Sequence, residues 1–347
     1  MSISHLEPFQ PPALKLLVEE VLHNTPPSFT DRVLPNFDSF DTRFAFEVIK
    51  SNKHIAALIG YGAEPPVMDK SVVASKIGEV VKMGLKNIYT EEELLALNTP
   101  RSEGERVNEI GKMLAKNVDI IGALQLRIAL LKLEAVMKGE IKYDGNGVKI
   151  NLDFGIPEEN HIVLEKGADW SDPMHDILGD IEEWVYKYED LNGERPDLIV
   201  IPPEVSKLLR FNQGIRAEVA YMKGESSSIP VHASNEKVQE VFDTFRLPKI
   251  EFLKRRSITA RNVYTGEDEQ IEYALPNRIV FVKERAGETI FGPTVENDFN
   301  PGYCLQIYDN REPIESVQRG VVAALPVVTK PSLLMFADVI DNEAPVQ

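Results

Sequence analysis

A single cysteine, Cys304, stands among 347 residues. One thiol forms no internal disulfide and supplies no multi-cysteine zinc site, so packing must hold the chain together and a reducing compartment is expected. Positive charge is also scarce: 38 Lys and Arg against 55 Asp and Glu leave a formal charge of −17. A non-specific nucleic-acid binder needs a basic footprint to displace counterions, and an anionic membrane repels an acidic chain. Long apolar runs are missing as well. The greasiest stretch, Val118 to Met137, carries Asp119, Gln125, Arg127, Lys132 and Glu134, too many polar groups for a membrane span. Met1-Ser2-Ile3-Ser4-His5 has neither the basic nor the apolar region of a secretory signal. A soluble, intracellular chain is expected. What remains is 43% hydrophobic and 27% charged, enough to bury a real core, at a length that suggests two domains.

Chemistry-bearing motifs are equally sparse. Gly60-Tyr61-Gly62 lacks the third glycine and the helix of a dinucleotide fingerprint, and no Gly-Lys-Ser/Thr phosphate loop occurs. Asp144-Gly145-Asn146-Gly147 resembles the start of a calcium loop, but Gly155 occupies the twelfth position, where glutamate is needed. A hairpin turn is the better reading. Asp169, Asp172, His175 and Asp176 form the one metal-like cluster, with Asp172 and Asp176 a helical turn apart. Acidic groups also favour helix starts through capping and the dipole, which is the simpler account. Cys304 falls in an apolar strand pattern, as a small buried hydrophobe would. Lys254, Arg255, Arg256 and Arg261 are the one cationic cluster, suited to phosphate, to an acidic neighbouring subunit, or to solvent. No residue is assigned a catalytic, cofactor-binding or metal-binding role.

Organisation along the chain is more informative. Residues 1–42 read as an arm: six prolines punctuate it, and only Ala13 to His23 shows a helical apolar pattern, too short to bury its own face. Phe44, Phe46, Val48 and Ile55 to Ile59 read as strands. Val67 to Ile88 has neither a helical nor a strict two-residue period and reads as an extended loop or loose hairpin. Thr90 with Glu93 is a capping box for a short helix, and Ser102 with Glu105 opens a long one through Lys138-Gly139. Gly104, Gly111 and Gly122 predict a bend or an interrupted start in it. Ile141–Tyr143 and Val148–Leu152 flank a glycine-rich turn and predict a hairpin. Ser171 to about Asn310 is a mixed block of helices (from Ser171, Glu204 and Glu236) and strands (198–201, 250–253, 271–273 and 278–282). Apolar strands return at 303–308, 317–328 and 333–340.

Three stretches in this order are similar to the lambda-type major head proteins of tailed bacteriophages. The first runs from Val136-Met137-Lys138-Gly139-Glu140 through Val148 to Gly155 and Glu158-Glu159-Asn160 to Asp169-Trp170-Ser171. The second is Pro196-Asp197-Leu198-Ile199-Val200-Ile201-Pro202 before a helix. The third is Pro331-Ser332-Leu333-Leu334-Met335-Phe336-Ala337-Asp338. The resemblance spans about two-thirds of the chain. It implies an α+β tailed-phage major capsid fold: an N-terminal arm (1–42), strands and an extended loop (43–90), a peripheral domain with a spine helix (91–170 plus 311–347), and an axial domain (171–310). The loop lacks the Gly/Pro-rich, Tyr-containing pattern common in that family.

The implied function is self-assembly, as pentamers and hexamers, into an icosahedral head around double-stranded DNA. The implied partners are many copies of the chain itself, scaffold and portal proteins, a decoration protein and non-specifically contacted DNA, but no membrane. Assembly is expected in the host cytoplasm. An arm and loop that cannot fold alone fit a shell in which each lies on a neighbour. Met68, Val72, Val73, Ile77, Val80 and Met83 are the candidate inter-subunit contacts. Two alternatives stand beside this reading: a cellular encapsulating shell of the same fold, and a metal-dependent enzyme built on Asp172, His175 and Asp176.

Overall fold

A computed structural model describes residues 3–49, 72–99, 102–145, 148–165, 167–222 and 230–340. In chain order, helices α1 (Pro11–Asn24) and α2 (Phe29–Val33) precede strands β1 (Asn36–Asp38), β2 (Arg43–Ile49), β3 (Val72–Glu79) and β4 (Val81–Thr90). Helices α3 (Glu91–Asn98) and α4 (Glu103–Lys138) lead to β5 (Glu140–Gly145), β6 (Val148–Asp153) and β7 (His161–Val163). The next block holds α5 (Ile177–Asn192), β8 (Leu198–Ile201), α6 (Pro203–Phe211), α7 (Gln213–Met222), α8 (Asn235–Thr244) and β9 (Lys249–Phe252). Strands β10 (Ser257–Arg261), β11 (Asp268–Glu272), β12 (Arg278–Val282), β13 (Glu288–Thr294) and β14 (Asn300–Pro301) follow. The chain closes with β15 (Cys304–Arg311), β16 (Ile314–Val327) and β17 (Leu334–Asp338).

The expected long helix is α4, 36 residues, or about 54 Å at 1.5 Å per residue. Its ends are chemically defined. Ser102 Oγ accepts from the Glu105 amide at 3.2 Å, and Gly139 terminates it in the left-handed conformation at φ 73°. A Cβ at Gly139 would lie 2.8 Å from Ile156 Cγ1, so close packing and backbone conformation both require glycine there. The predicted interruption does not occur. Gly104, Gly111 and Gly122 face solvent within one continuous helix, because its opposite, apolar stripe is held along its length by a sheet.

That sheet is organised around β16, which pairs antiparallel with β4 on one side and with β13 and then β15 on the other. Ile120, Ile121, Leu124 and Ile128 of α4 pack on Phe291, Leu305, Val322 and Ala324. The helix comes down hardest over Gly320, where any Cβ would overlap Ile120 Cγ2. A second, five-stranded sheet runs β7-β17-β12-β8-β9, with α5 to α8 packed about it. Its core contains Trp170 stacked on Trp184 at 5.6 Å, and Trp184 edge-on to Phe281.

Three expectations change. Residues 81–90 belong to a sheet rather than a loop, with Met83, Leu85 and Tyr89 inward and Lys82, Lys86 and Ile88 outward. Asn87 on the inner set and Ile88 on the outer one hid that alternation in the sequence. The expected boundary at residue 310 is also crossed. β13 and β15 lie in the sheet beneath the spine helix, while β7 and β17 belong to the other sheet, so the chain passes repeatedly between the two. Finally, the arm covers its own chain. Leu14 and Val18 pack with Ile128 and Leu305, Ile3 and Phe9 with Leu94, Leu97 and Met113, and β1 pairs parallel with β13. Lys132, 3% exposed, holds it down by donating to Asp31 Oδ1 and Asn36 Oδ1, both at 2.8 Å.

Candidate assembly surface

The metal-like cluster resolves into local backbone chemistry. Asp172 Oδ1 accepts from the Met174 amide at 2.9 Å, and Asp176 Oδ1 caps α5 at the Gly179 amide at 3.1 Å. Asp169 accepts from Ser171 Oγ. His175 Nε2 meets Asp180 Oδ2 at 2.6 Å, and the indole of Trp170 donates to that same oxygen at 2.8 Å. The Asn212 amide then ties the carbonyls of Pro173 and His175 to the α6–α7 corner. These bonds tie the segment before α5 to the α6–α7 corner. Among the described residues no three His, Cys, Asp or Glu side chains are grouped to hold a metal ion. No described helix is long and apolar enough to cross a membrane.

Cys304 opens β15, and its thiol donates to the Glu296 carbonyl at 3.0 Å. Burial raises its pKa, with Glu296 and Asp298 adding to the effect. Thiolate is therefore scarce at neutral pH. Cys304 is expected to react with a disulfide reagent far more slowly in the folded chain than in denaturant at pH 8, which a stopped-flow colour assay reads directly. Equal rates would show that this corner is open.

Of the cationic cluster, Arg256 is internal glue, bridging Glu204 at 3.0 Å and Glu272 at 2.9 Å, while Lys254 and Arg255 stay exposed. A second charged node lies where β4 meets the β13–β15 connection. Glu296 takes the Lys82 amine at 2.6 Å and also pairs with Arg319. The Lys82 hydrogen bond holds the Glu296 carboxyl below the ordinary glutamate range.

The surface is otherwise marked by apolar groups without cover. Phe40, Tyr221, Val231 and Tyr264 are each at least 74% exposed. Tyr221, Val231, Phe211, Met222 and Phe245 are exposed at the ends of α6, α7 and α8 and in the segment before α8, among the helices packed about the second sheet. Val263 and Tyr264 crown the turn of the β10–β11 hairpin, which pairs with no other strand among the described residues. Sequence reasoning missed α7 and this turn. Ile215, Val219 and Ala220 at helical spacing signal the first, and Asn262 to Gly266 between two polar strands signals the second.

The six candidate contact residues separate. Met68 lies outside the described residues. Val72, Val73 and Ile77 are on β3, which among the described residues pairs with β2 alone. Val80 and Met83 do not project outward. They pack against their own core, Val80 against Gly292 with its amide donating to the Thr42 carbonyl at 3.1 Å, and Met83 from the inner face of β4.

No curated protein matches the sequence. Two solved structures are similar in fold across nearly their whole length. The putative capsid protein of a prophage from E. coli CFT073 aligns at TM-score 0.60 with 14% identity, covering 96% of this chain and 99% of that one. A phage-related protein from Bordetella bronchiseptica RB50 aligns at TM-score 0.57 with 8% identity, covering 95% and 98%. The family model for phage major capsid protein E matches residues 18–339, which takes in the spine helix, both sheets and the end of the final strand. The chain therefore belongs to the phage major capsid protein E family and is a shell protein of the virion.

Proposed function

We propose that this chain assembles as pentamers and hexamers into a closed icosahedral head around packaged double-stranded DNA, and that its role is structural rather than catalytic. The observation that carries this is the β2–β3 hairpin. Its strands pair only with each other among the described residues, and a two-stranded ribbon alone is marginal in water. A ribbon of this length is useful when a second copy supplies the missing surface. Met68, Val72, Val73 and Ile77 are the contacts we assign to it; Val80 and Met83 are left out because they serve the chain's own core. The exposed apolar side chains Tyr221 and Val231 suit meeting copies of the chain at a capsomer centre. An acidic wall suits DNA that must be held without being gripped. Scaffold, portal and decoration proteins complete the partner set, with assembly in the host cytoplasm.

Electron microscopy of purified chain, with light scattering on the same sample, tests the reading. Closed particles, tubes or five- and six-fold rings are expected. Dispersed monomers, unchanged on co-expression with a scaffold, would overturn it. Val72→Asp combined with Val73→Asp is expected to abolish the particles while leaving the circular dichroism spectrum and melting transition in place. Particles that persist would remove the hairpin from the contact set.

A further inference from the structure

The large sheet is covered along one side and open along the other. β1 runs beside β13, and α1 and the residues before it pack at β15. β4 pairs with β16 across Val81 to Thr90, and no strand among the described residues pairs with its other side. Ten residues of unpaired strand, about 34 Å long, form a template for another chain. We propose that this edge pairs antiparallel with β4 of a second copy across a two-fold axis through Leu85, joining two sheets into one. The proposal rests on the shell reading only in that it gives the contact a place between subunits.

The side chains select the register. Faces must match, helix side to helix side, so the numbers of two facing residues must sum to an even value; an odd sum sets the Met83, Leu85, Tyr89 face against Lys82 and Lys86. If the pairing is shifted one way, so that Gly84 faces itself, Lys82 stands opposite Lys86 twice. If it is shifted the other way, so that Lys86 faces itself, two ammonium groups meet on the axis. With Leu85 on the axis, Lys82 faces Ile88, Lys86 faces Gly84, Met83 faces Asn87 and Val81 faces Tyr89. No like charges oppose each other within the strand. Ile88, 38% exposed in the single chain, comes to lie beside the Lys82 backbone while the Lys82 amine stays on Glu296, and Lys86 lies over the bare backbone of Gly84. Axes through Met83 or Asn87 also keep the lysines apart, but they pair only residues 81–85 or 84–90, so charge and length of overlap together favour the axis at Leu85.

Lys82→Cys combined with Ile88→Cys tests it. Within one chain these positions are about 20 Å apart along a strand, far beyond disulfide reach, so any 82–88 linkage joins two copies. On mild oxidation most of the chain is expected to move to dimer mass on a non-reducing gel, with the 82–88 peptide pair identified by mass spectrometry. Lys82→Cys combined with Lys86→Cys, which reports the neighbouring register, is expected to stay monomeric on that gel. Particles in the microscope without the 82–88 linkage overturn the edge pairing and leave the shell reading intact. If no particles form, the same gel still decides: a linked dimer upholds the pairing and an unlinked chain overturns it.

Discussion

Arg278→Ala is expected to cost about 3–5 kcal/mol of folding free energy, the range for removing one partner of a buried ion pair. Arg278 grips Asp338 with two parallel hydrogen bonds, Nε to Oδ1 and Nη2 to Oδ2, both 2.8 Å, and the two side chains are only 16% and 14% exposed. The guanidinium also lies 4.9 Å from the centre of the Phe336 ring, which His161 meets edge-on at 5.2 Å. Alanine would leave the Asp338 carboxylate unpaired between β12 and β17, and it would uncover Phe336. Leaving that charge buried without a partner, rather than losing the attraction, is the larger effect. Replacing both partners by apolar residues, Arg278→Met with Asp338→Leu, is therefore expected to cost much less than either single change. Urea unfolding midpoints for the three variants decide it. A single variant within about 1 kcal/mol of the parent would mean that water reaches the pair freely.

Gly287→Ala is the second large effect, about 3 kcal/mol or more, for a single added methyl group. That methyl would overlap the Val327 carbonyl and sit 2.7 Å from Val328 Cα and 2.8 Å from Leu34 Cδ2. Backbone, not a flexible side chain, has to move. The arm runs alongside here: amides of Arg285, Gly287 and Thr289 donate to carbonyls of Arg32, Val33 and Pro35. Strain at 287 is thus delivered to the arm, and early proteolytic cleavage before residue 42 is expected with the drop in melting temperature. Gly111→Ala is the matched control. It adds the same methyl to an exposed helical position with nothing within 4 Å, and should stabilise by about 1 kcal/mol. Equal behaviour of the two variants would sink the argument from close approach.

Much of this architecture was legible because local signals agreed with the fold. Ser102, Glu105 and Gly139 mark both ends of the spine helix through capping chemistry, and Thr90 with Glu93 marks the helix before it. The order of elements from Lys138 to Ser171 carried the family. Other features were not local. Whether β4 is loop or strand depends on β16, far along the chain, and β4 itself mixes Gly84 and Asn87 into its alternation. The arm's apolar face implied a partner surface without saying whose, and Lys132 waiting beneath it on the spine helix is visible only in three dimensions. Val80 and Met83 were misplaced for the same reason: the core they pack against, with Gly292 beside Val80 and β16 beside Met83, lies far along the chain.

The position of β16 has a kinetic consequence. The strand that every long neighbour in the large sheet must find is synthesised after all of them. Until residues 314–327 leave the ribosome, β4 has no partner and the spine helix has no floor. Pairings this distant in sequence close slowly and leave sticky edges exposed meanwhile. Synthesis of β16 thus sets the clock for folding: a chain that stops short of it has no finished plate.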